Sequence, residues 1–294
     1  MTTTTAAAAT QAVASTPATI LVLGGTGKTG RRVAARLSGR PGVTVRIGSR
    51  AGTPPFDWDD ESTWDAVLDG VGAVYLVYSP DLGIPGADEV VGAFARRAVR
   101  HGVTRLVLLS GRGEQGAERA EHAVREAGAE WTIVRCAWFA QAFSEDFLRD
   151  GVLEGTVVLP AGAVAEPFVD ADDIAEVVVA ALLDDGHAGR VRELTGPRAL
   201  SFAEAAAVLS EVTGRPVRYE PVSPEDYVAV LTEHGLPEHE AEFLAGLFAT
   251  VLDGRNTAVT DGVREVLGRP AVEFGEAMRR AAAAGAWERV TPGG

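Results

Sequence analysis

The chain has 294 residues and a mass of 30.7 kDa, with 27 basic and 41 acidic side chains and a formal net charge of −14. That length is one large α/β domain or two small ones, and a surface so acidic repels phosphate backbones, which argues against nucleic acid as a partner. The lone cysteine, Cys136, excludes an intrachain disulfide and a Cys-based structural zinc site, and the densest apolar run, residues 175–183, already contains Glu176 and is too short to span a bilayer.

Residues 1–18 are uncharged and rich in Thr and Ala, without the basic start and long apolar stretch of a secretory signal. They read as a disordered tail on a cytoplasmic protein. From Thr19 onward, short apolar runs alternate with segments of helical spacing. Residues 20–23, 43–47, 73–78, 106–109 and 131–134 read as parallel strands buried on both faces. Residues 31–37, 88–100 and 118–127 read as the helices between them. This alternation predicts a Rossmann-type, doubly wound parallel sheet over residues 19–150. Beyond residue 150 the spacing loosens. Strand-like pieces at 157–159, 191–194 and 217–219 mix with helical ones at 170–183, 201–212, 224–233 and 262–267. Residues 151–294 are therefore expected to form a smaller C-terminal α/β substrate lobe, partly continuous with the sheet.

The first strand runs directly into Gly24-Gly25-Thr26-Gly27-Lys28-Thr29-Gly30. Glycines at 24, 27 and 30 permit a tight turn, a close backbone approach to a pyrophosphate and close packing of the following helix. The helix N-terminus then offers free N–H groups to the phosphates. A nucleotide-triphosphate loop is excluded, because its GxxxxGK[ST] spacing is absent. The second strand ends in Ser49 and Arg50, where an NAD-binding chain usually carries an acid for the ribose 2′-hydroxyl. A guanidinium there suits a 2′-phosphate, which predicts NADP(H), although a solvated surface arginine is the plain alternative.

These residues resemble the atypical short-chain dehydrogenase/reductases of the NmrA-like branch, and within it the quinone-reductase-like and clavine (iminium) dehydrogenase-like groups. The motifs that carry the likeness are the glycine loop, Phe56-Asp57-Trp58-Asp59, Leu108-Leu109-Ser110, Trp131-Thr132-Ile133-Val134-Arg135 with Trp138-Phe139, and Pro167-Phe168-Val169-Asp170-Ala171-Asp172-Asp173. Thr195-Gly196-Pro197 and Thr260-Asp261-Gly262-Val263 extend it over residues 20–284. The resemblance implies that Thr26, Lys28 and Thr29 line the pyrophosphate. It puts Asp57 and Trp58 beside the adenine after a third strand. Val77, Tyr78 and Ser79 would flank the nicotinamide ribose at the end of a fourth, and Ala137, Trp138 and Phe139 would border the nicotinamide after a sixth. Cys136 and Ala142 depart from the family's usual proline and asparagine.

Most short-chain dehydrogenases protonate their substrate with a Tyr whose pKa is lowered by a Lys four residues later. Counting excludes that pair. Lys28 is the only lysine, and the tyrosines are Tyr75, Tyr78, Tyr219 and Tyr227. What remains is chemistry that a positioned hydride donor performs nearly alone, on an iminium, a quinone or a conjugated C=C. Tyr78, Ser110 and His122 are the candidate proton donors. Tyr78 is best placed, at the carboxyl end of a central strand, unless it packs in the core. Phe139, Phe143 and Phe147 recur every four residues and predict a shared helix face. That face is either core or, with Trp138, the wall of an apolar substrate pocket taking in Phe139 and Phe143. The acidic run from Asp170 to Asp173 reads as a helix cap, with no metal site. The expected activity is thus NADPH-dependent reduction of an apolar small molecule, with no membrane or nucleic-acid partner. A non-catalytic NADP(H) sensor is the alternative.

Overall fold

Alternate residues of the first strand enter two different cores. In the computed structural model, which describes residues 19–288, β1 (Thr19–Leu23) sends Ile20 and Val22 to one face of a sheet and Leu21 and Leu23 to the other. The tail expected over 1–18 lies outside the described residues. Then follow α1 (Lys28–Ser38), β2 (Thr44–Gly48), α2 (Trp64–Leu68), β3 (Ala73–Leu76), α3 (Ala87–Arg100), β4 (Arg105–Gly111), α4 (Gln115–Arg125) and β5 (Glu130–Cys136). The second half comprises α5 (Ala142–Glu145), α6 (Arg149–Glu154), β6 (Thr156–Leu159), β7 (Ala165–Glu166), α7 (Ala171–Leu183), β8 (Arg190–Leu194), β9 (Leu200–Ser201) and α8 (Phe202–Thr213). It closes with β10 (Arg218–Pro221), α9 (Pro224–Glu233), α10 (Glu238–Val251), α11 (Gly262–Leu267) and α12 (Phe274–Ala283).

Six strands form one parallel sheet in the order β2-β1-β3-β4-β5-β8. Val33 and Leu37 of α1, Ile174 and Val178 of α7 and Val263 of α11 cover one face. Val67 of α2, Phe94 of α3 and Val124 of α4 cover the other. The expected doubly wound architecture is what the chain adopts. Each of these side chains is almost wholly removed from water, worth ~1.5–3 kcal/mol apiece before the entropy of ordering is counted. The chain leaves β1 towards β2 and returns past it to β3, so the connections diverge there. Such a switch point opens a crevice at the carboxyl ends of the strands.

A third core belongs to the second half. Phe143, Phe168, Phe202 and Phe274 pack ring to ring, with α8, α10, α12 and two small sheets, β6–β10 and β7–β9, around them. The stretch from α7 to β8 returns to the large sheet before the chain goes back to this lobe.

Two expectations are corrected. No third strand forms between β2 and Asp57, where only an isolated bridge joins Asp57 to Asp60. Pro54 and Pro55 just before it cannot donate to a ladder, and the Phe56 N–H bonds instead to the Ser49 carbonyl at 2.9 Å. Val77 to Ser79 therefore follow the third strand, and Ala137 follows the fifth. The phenylalanine stripe is broken because α5 stops at Glu145 and Asp146 is extended. Helices α10 and α12 add to the elements read from the sequence.

Candidate functional site

The carboxyl ends of β1, β3, β4 and β5 open into a cleft of about 540 Å³, closed on its far side by α10. At its near end Gly24 has φ +61°, a left-handed conformation that favours glycine. The Gly27 N–H donates to the Gly24 carbonyl at 2.8 Å, closing the turn. A side chain on Gly30 would put its Cβ 2.1 Å from that same oxygen, so α1 lies backbone to backbone against the loop. No side chain caps α1, and its first turn holds no acid. The N–H groups and dipole of its first turn are therefore available to an anion. This cradle fits a dinucleotide pyrophosphate.

Gly24, Thr26, Gly27, Lys28 and Thr29 all line the cleft. Lys28 forms an ion pair with Asp146 of the second lobe. Thr29 is buried and accepts a hydrogen bond from the Tyr75 hydroxyl at 3.0 Å. Ser49 and Arg50 stand in the turn after β2, outside the cleft wall. Arg50 is exposed and has no side-chain partner among the described residues. Asp57 and Trp58 lie outside the cleft too. The Asp57 carboxylate accepts the Asp59 N–H at 3.2 Å, and the Trp58 indole donates to the Val77 carbonyl at 3.2 Å. The Trp58 ring packs against Tyr78, with centroids 5.1 Å apart.

Val77, Tyr78, Ser79, Ser110 and Ala137 meet at the centre of the cleft, where their three strands end side by side. Burial and the Asp59 carboxylate hold the Tyr78 hydroxyl above the ordinary phenol range. Ser110 donates to Glu121 at 2.7 Å, which commits its proton. Glu121 is 1% exposed and is held by Arg135 at 2.5 Å and Arg125 at 3.0 Å. Hydrogen bonding to Glu121 in turn raises the Arg135 guanidinium above its usual range. Burial pushes the Cys136 thiol up, so it stays protonated and inert.

Two candidates leave the site. His122 faces Glu126 at 3.3 Å on an exposed groove beside Asp88 and Arg119, away from the cleft, so it is no proton donor to it. Phe143 is wholly buried in the C-terminal core and lines no part of the cleft. Trp138 and Phe139 do line it, and Phe147 and Phe248, stacked at 5.6 Å, complete an aromatic wall with Trp138. The run from Asp170 is a cap: the Asp170 carboxylate accepts the Asp172 N–H at 3.0 Å, while Asp172 pairs with Arg36 and Asp173 with Arg269. No described helix is long and apolar enough to cross a membrane.

Besides Asp146, the cleft is lined by three further acids with no signal in the sequence, Asp81, Glu114 and Glu166. Burial, reinforced by Asp81, pushes the Glu114 carboxyl up to about 8, and burial raises Asp81 as well. Burial pushes Glu166 up to about 7, against the pull of Arg112. Glu166 is 2% exposed, and one of its carboxyl oxygens finds no hydrogen-bond partner.

Residues 118–269 match the NmrA-like family. Prestalk A differentiation protein A of Dictyostelium discoideum is 30% identical over 89% of this chain and 92% of its own length. NAD(P)H azoreductase of Xenophilus azovorans is 33% identical over 90% of this chain and 98% of its own. Among solved structures, an NADPH-dependent quinone oxidoreductase of Escherichia coli superposes with a TM-score of 0.76 at 22% identity, covering 89% of this chain and 99% of that one. The chain belongs to the NmrA-like family.

Proposed function

We propose that this protein is an NADPH-dependent reductase that delivers hydride to an apolar, cyclic or aromatic acceptor: a C=N, a quinone or a conjugated C=C. The observation that carries the reading is the cleft itself, with a pyrophosphate cradle at one end and an aromatic wall at the other. A relative named as an NAD(P)H azoreductase supports the same class of chemistry. When bound, the reduced nicotinamide supplies the hydride. The chain's own part is to hold and orient. Gly24 to Thr29 receive the pyrophosphate, with Lys28 as the charged contact. Ser49 and Arg50 receive the 2′-phosphate, and Asp57 with Trp58 border the adenine. Val77, Tyr78, Ser79, Ser110 and Ala137 surround the nicotinamide and its ribose. Trp138 and Phe139, with Phe147 and Phe248, flank a flat acceptor and exclude water. Residues 19–137 thus act as the cofactor half, while Trp138, Phe139 and Phe147, although within the expected 19–150 domain, join most of the remainder as the acceptor half.

A regulator that senses NADP(H) without turnover is the second reading, favoured by the commitment of the Ser110 hydroxyl to Glu121. Following NADPH oxidation against a panel of quinones, azo dyes and cyclic iminium ions separates the two. A reductase gives saturable consumption with at least one class of acceptor. Tight NADPH binding with no consumption on any of them refutes it.

A further inference from the structure

The loop between β4 and α4 carries a carboxyl group positioned as a proton donor. Glu114 folds its side chain back over Gly111, so closely that a Cβ on Gly111 would stand 2.1 Å from Oε1. The carboxyl thereby sits at the mouth of the central strand, next to Ser110, and lines the cleft. Asp81, in the loop after β3, comes to meet it. The point where Gly83 would carry a side chain is 3.0 Å from an Asp81 oxygen and 3.2 Å from the other oxygen of Glu114. Gly116 lets the first turn of α4 press against this loop, since a Cβ there would fall 2.2 Å from the Gly83 carbonyl. Glycines at 83, 111 and 116 therefore clear the space in which two acids face each other.

The two are not equivalent. Asp81 accepts the Gly83 N–H at 2.7 Å, which favours its charged form, while no hydrogen bond reaches the Glu114 carboxyl among the described residues. Arg112, the nearest cation in sequence, also lines the cleft and acts on Glu166, but its guanidinium is bonded to the carbonyls of Asn256 and Ala258 and paired with Glu193 rather than with Glu114. Glu166 and the Lys28-paired Asp146 also line the cleft, and Tyr78 lines it at the end of β3. Close, partly buried carboxyls share a proton, and it resides on the one with the less charge-stabilising surroundings.

We propose that Glu114 is the general acid of this cleft, giving its proton to the reduced acceptor where the Tyr–Lys pair of most short-chain dehydrogenases is absent. The inference rests on the reductase reading above. As the acceptor receives hydride at one atom of its double bond, the π pair moves to the far atom. That atom takes the Glu114 proton as the carboxyl O–H bond breaks. The acceptor is reduced by two electrons, the nicotinamide dinucleotide is oxidised, and water restores the proton to the carboxylate.

The test compares wild type with Glu114→Gln and Asp81→Asn. A carboxyl infrared band, followed against pH without cofactor, should titrate near 8 in wild type and vanish in Glu114→Gln. With an accepted quinone, Glu114→Gln should lower kcat by about 10²-fold with the NADPH Kd unchanged, and should abolish the alkaline fall in rate. Asp81→Asn should move that fall to lower pH, a shift that a merely structural role would not produce. Wild-type kcat and pH profile in Glu114→Gln, or no Glu114 band titrating above pH 6, overturns the assignment. Failure of wild type to turn over any acceptor refutes the reductase reading, while the infrared titration still decides whether Glu114 holds the proton.

Discussion

Lys28 and Asp146 form an ion pair that ties the glycine loop to the second lobe across the mouth of the cleft. Each side chain is about a third exposed, so the pair is worth ~0–1 kcal/mol and is readily given up to a stronger anion. A pyrophosphate at the start of α1 would be that anion. Lys28→Ala is expected to weaken NADPH binding about tenfold with the fold intact by circular dichroism, whereas Asp146→Asn should leave affinity equal or tighter. Calorimetric titration reads both. Unchanged affinity in Lys28→Ala means that the phosphates pass elsewhere.

Cofactor choice should depend on Arg50. The protein carries a net charge of −14, so no general field attracts a 2′-phosphate, and Arg50 is an exposed guanidinium without a side-chain partner among the described residues. A charge-assisted hydrogen bond is worth ~1.5–3 kcal/mol, or about one to two decades of affinity. NADPH should bind at least about tenfold more tightly than NADH, and Arg50→Ala should erase the difference by weakening NADPH alone. Equal losses for both cofactors would move Arg50 to a structural role in the turn.

Gly30 should tolerate no side chain. The atoms that a Cβ would meet belong to the backbone of Gly24 and Gly25, which cannot rotate out of the way. Gly30→Ala is expected to cost ~1–3 kcal/mol, read as a lowered Tm, and to weaken dinucleotide binding as α1 moves off the loop. Gly39, whose added Cβ would meet nothing, is the control: Gly39→Ala should leave both unchanged.

Glu166 makes stability depend on pH in a stated direction. Its carboxyl is held up at about 7 in the folded protein, against an ordinary value of 4.5. Between those values the unfolded chain releases its proton while the folded one retains it, so this group erodes stability as pH rises through that window, by up to ~3 kcal/mol. Glu166→Gln removes the titration. The variant should gain stability relative to wild type between pH 5 and 8 in urea denaturation. A constant difference between the two proteins would mean that the carboxyl is already ionised at pH 5.

The first strand, the glycine loop and α1 were legible because their signals are local: an apolar run, a fixed glycine spacing and a helical stripe. Trp138 and Phe139 were legible because they directly follow a strand whose end could be read. Phe143 was placed beside Phe139 by a four-residue spacing, but α5 begins only at Ala142 and ends before Asp146, so neither Phe139 nor Phe147 shares its helix face. Glu114 and Asp81 were invisible for a different reason. Nothing near either residue marks it, and they meet only because β3 and β4 are neighbours and three glycines bring their loops into contact. The far wall was missed with α10, whose Phe248 reaches Trp138 from far along the chain.

The most direct measurement is a crystal structure with NADP⁺ bound. It should show the pyrophosphate over Gly24 to Thr29, the 2′-phosphate on Arg50, and nicotinamide C4 between Tyr78 and Ala137. Open space should remain between C4 and the wall of Trp138, Phe147 and Phe248, with the Glu114 carboxyl bordering it. A nicotinamide lying outside the cleft, or one whose C4 is covered by protein with no room for an acceptor, would contradict hydride transfer in this site.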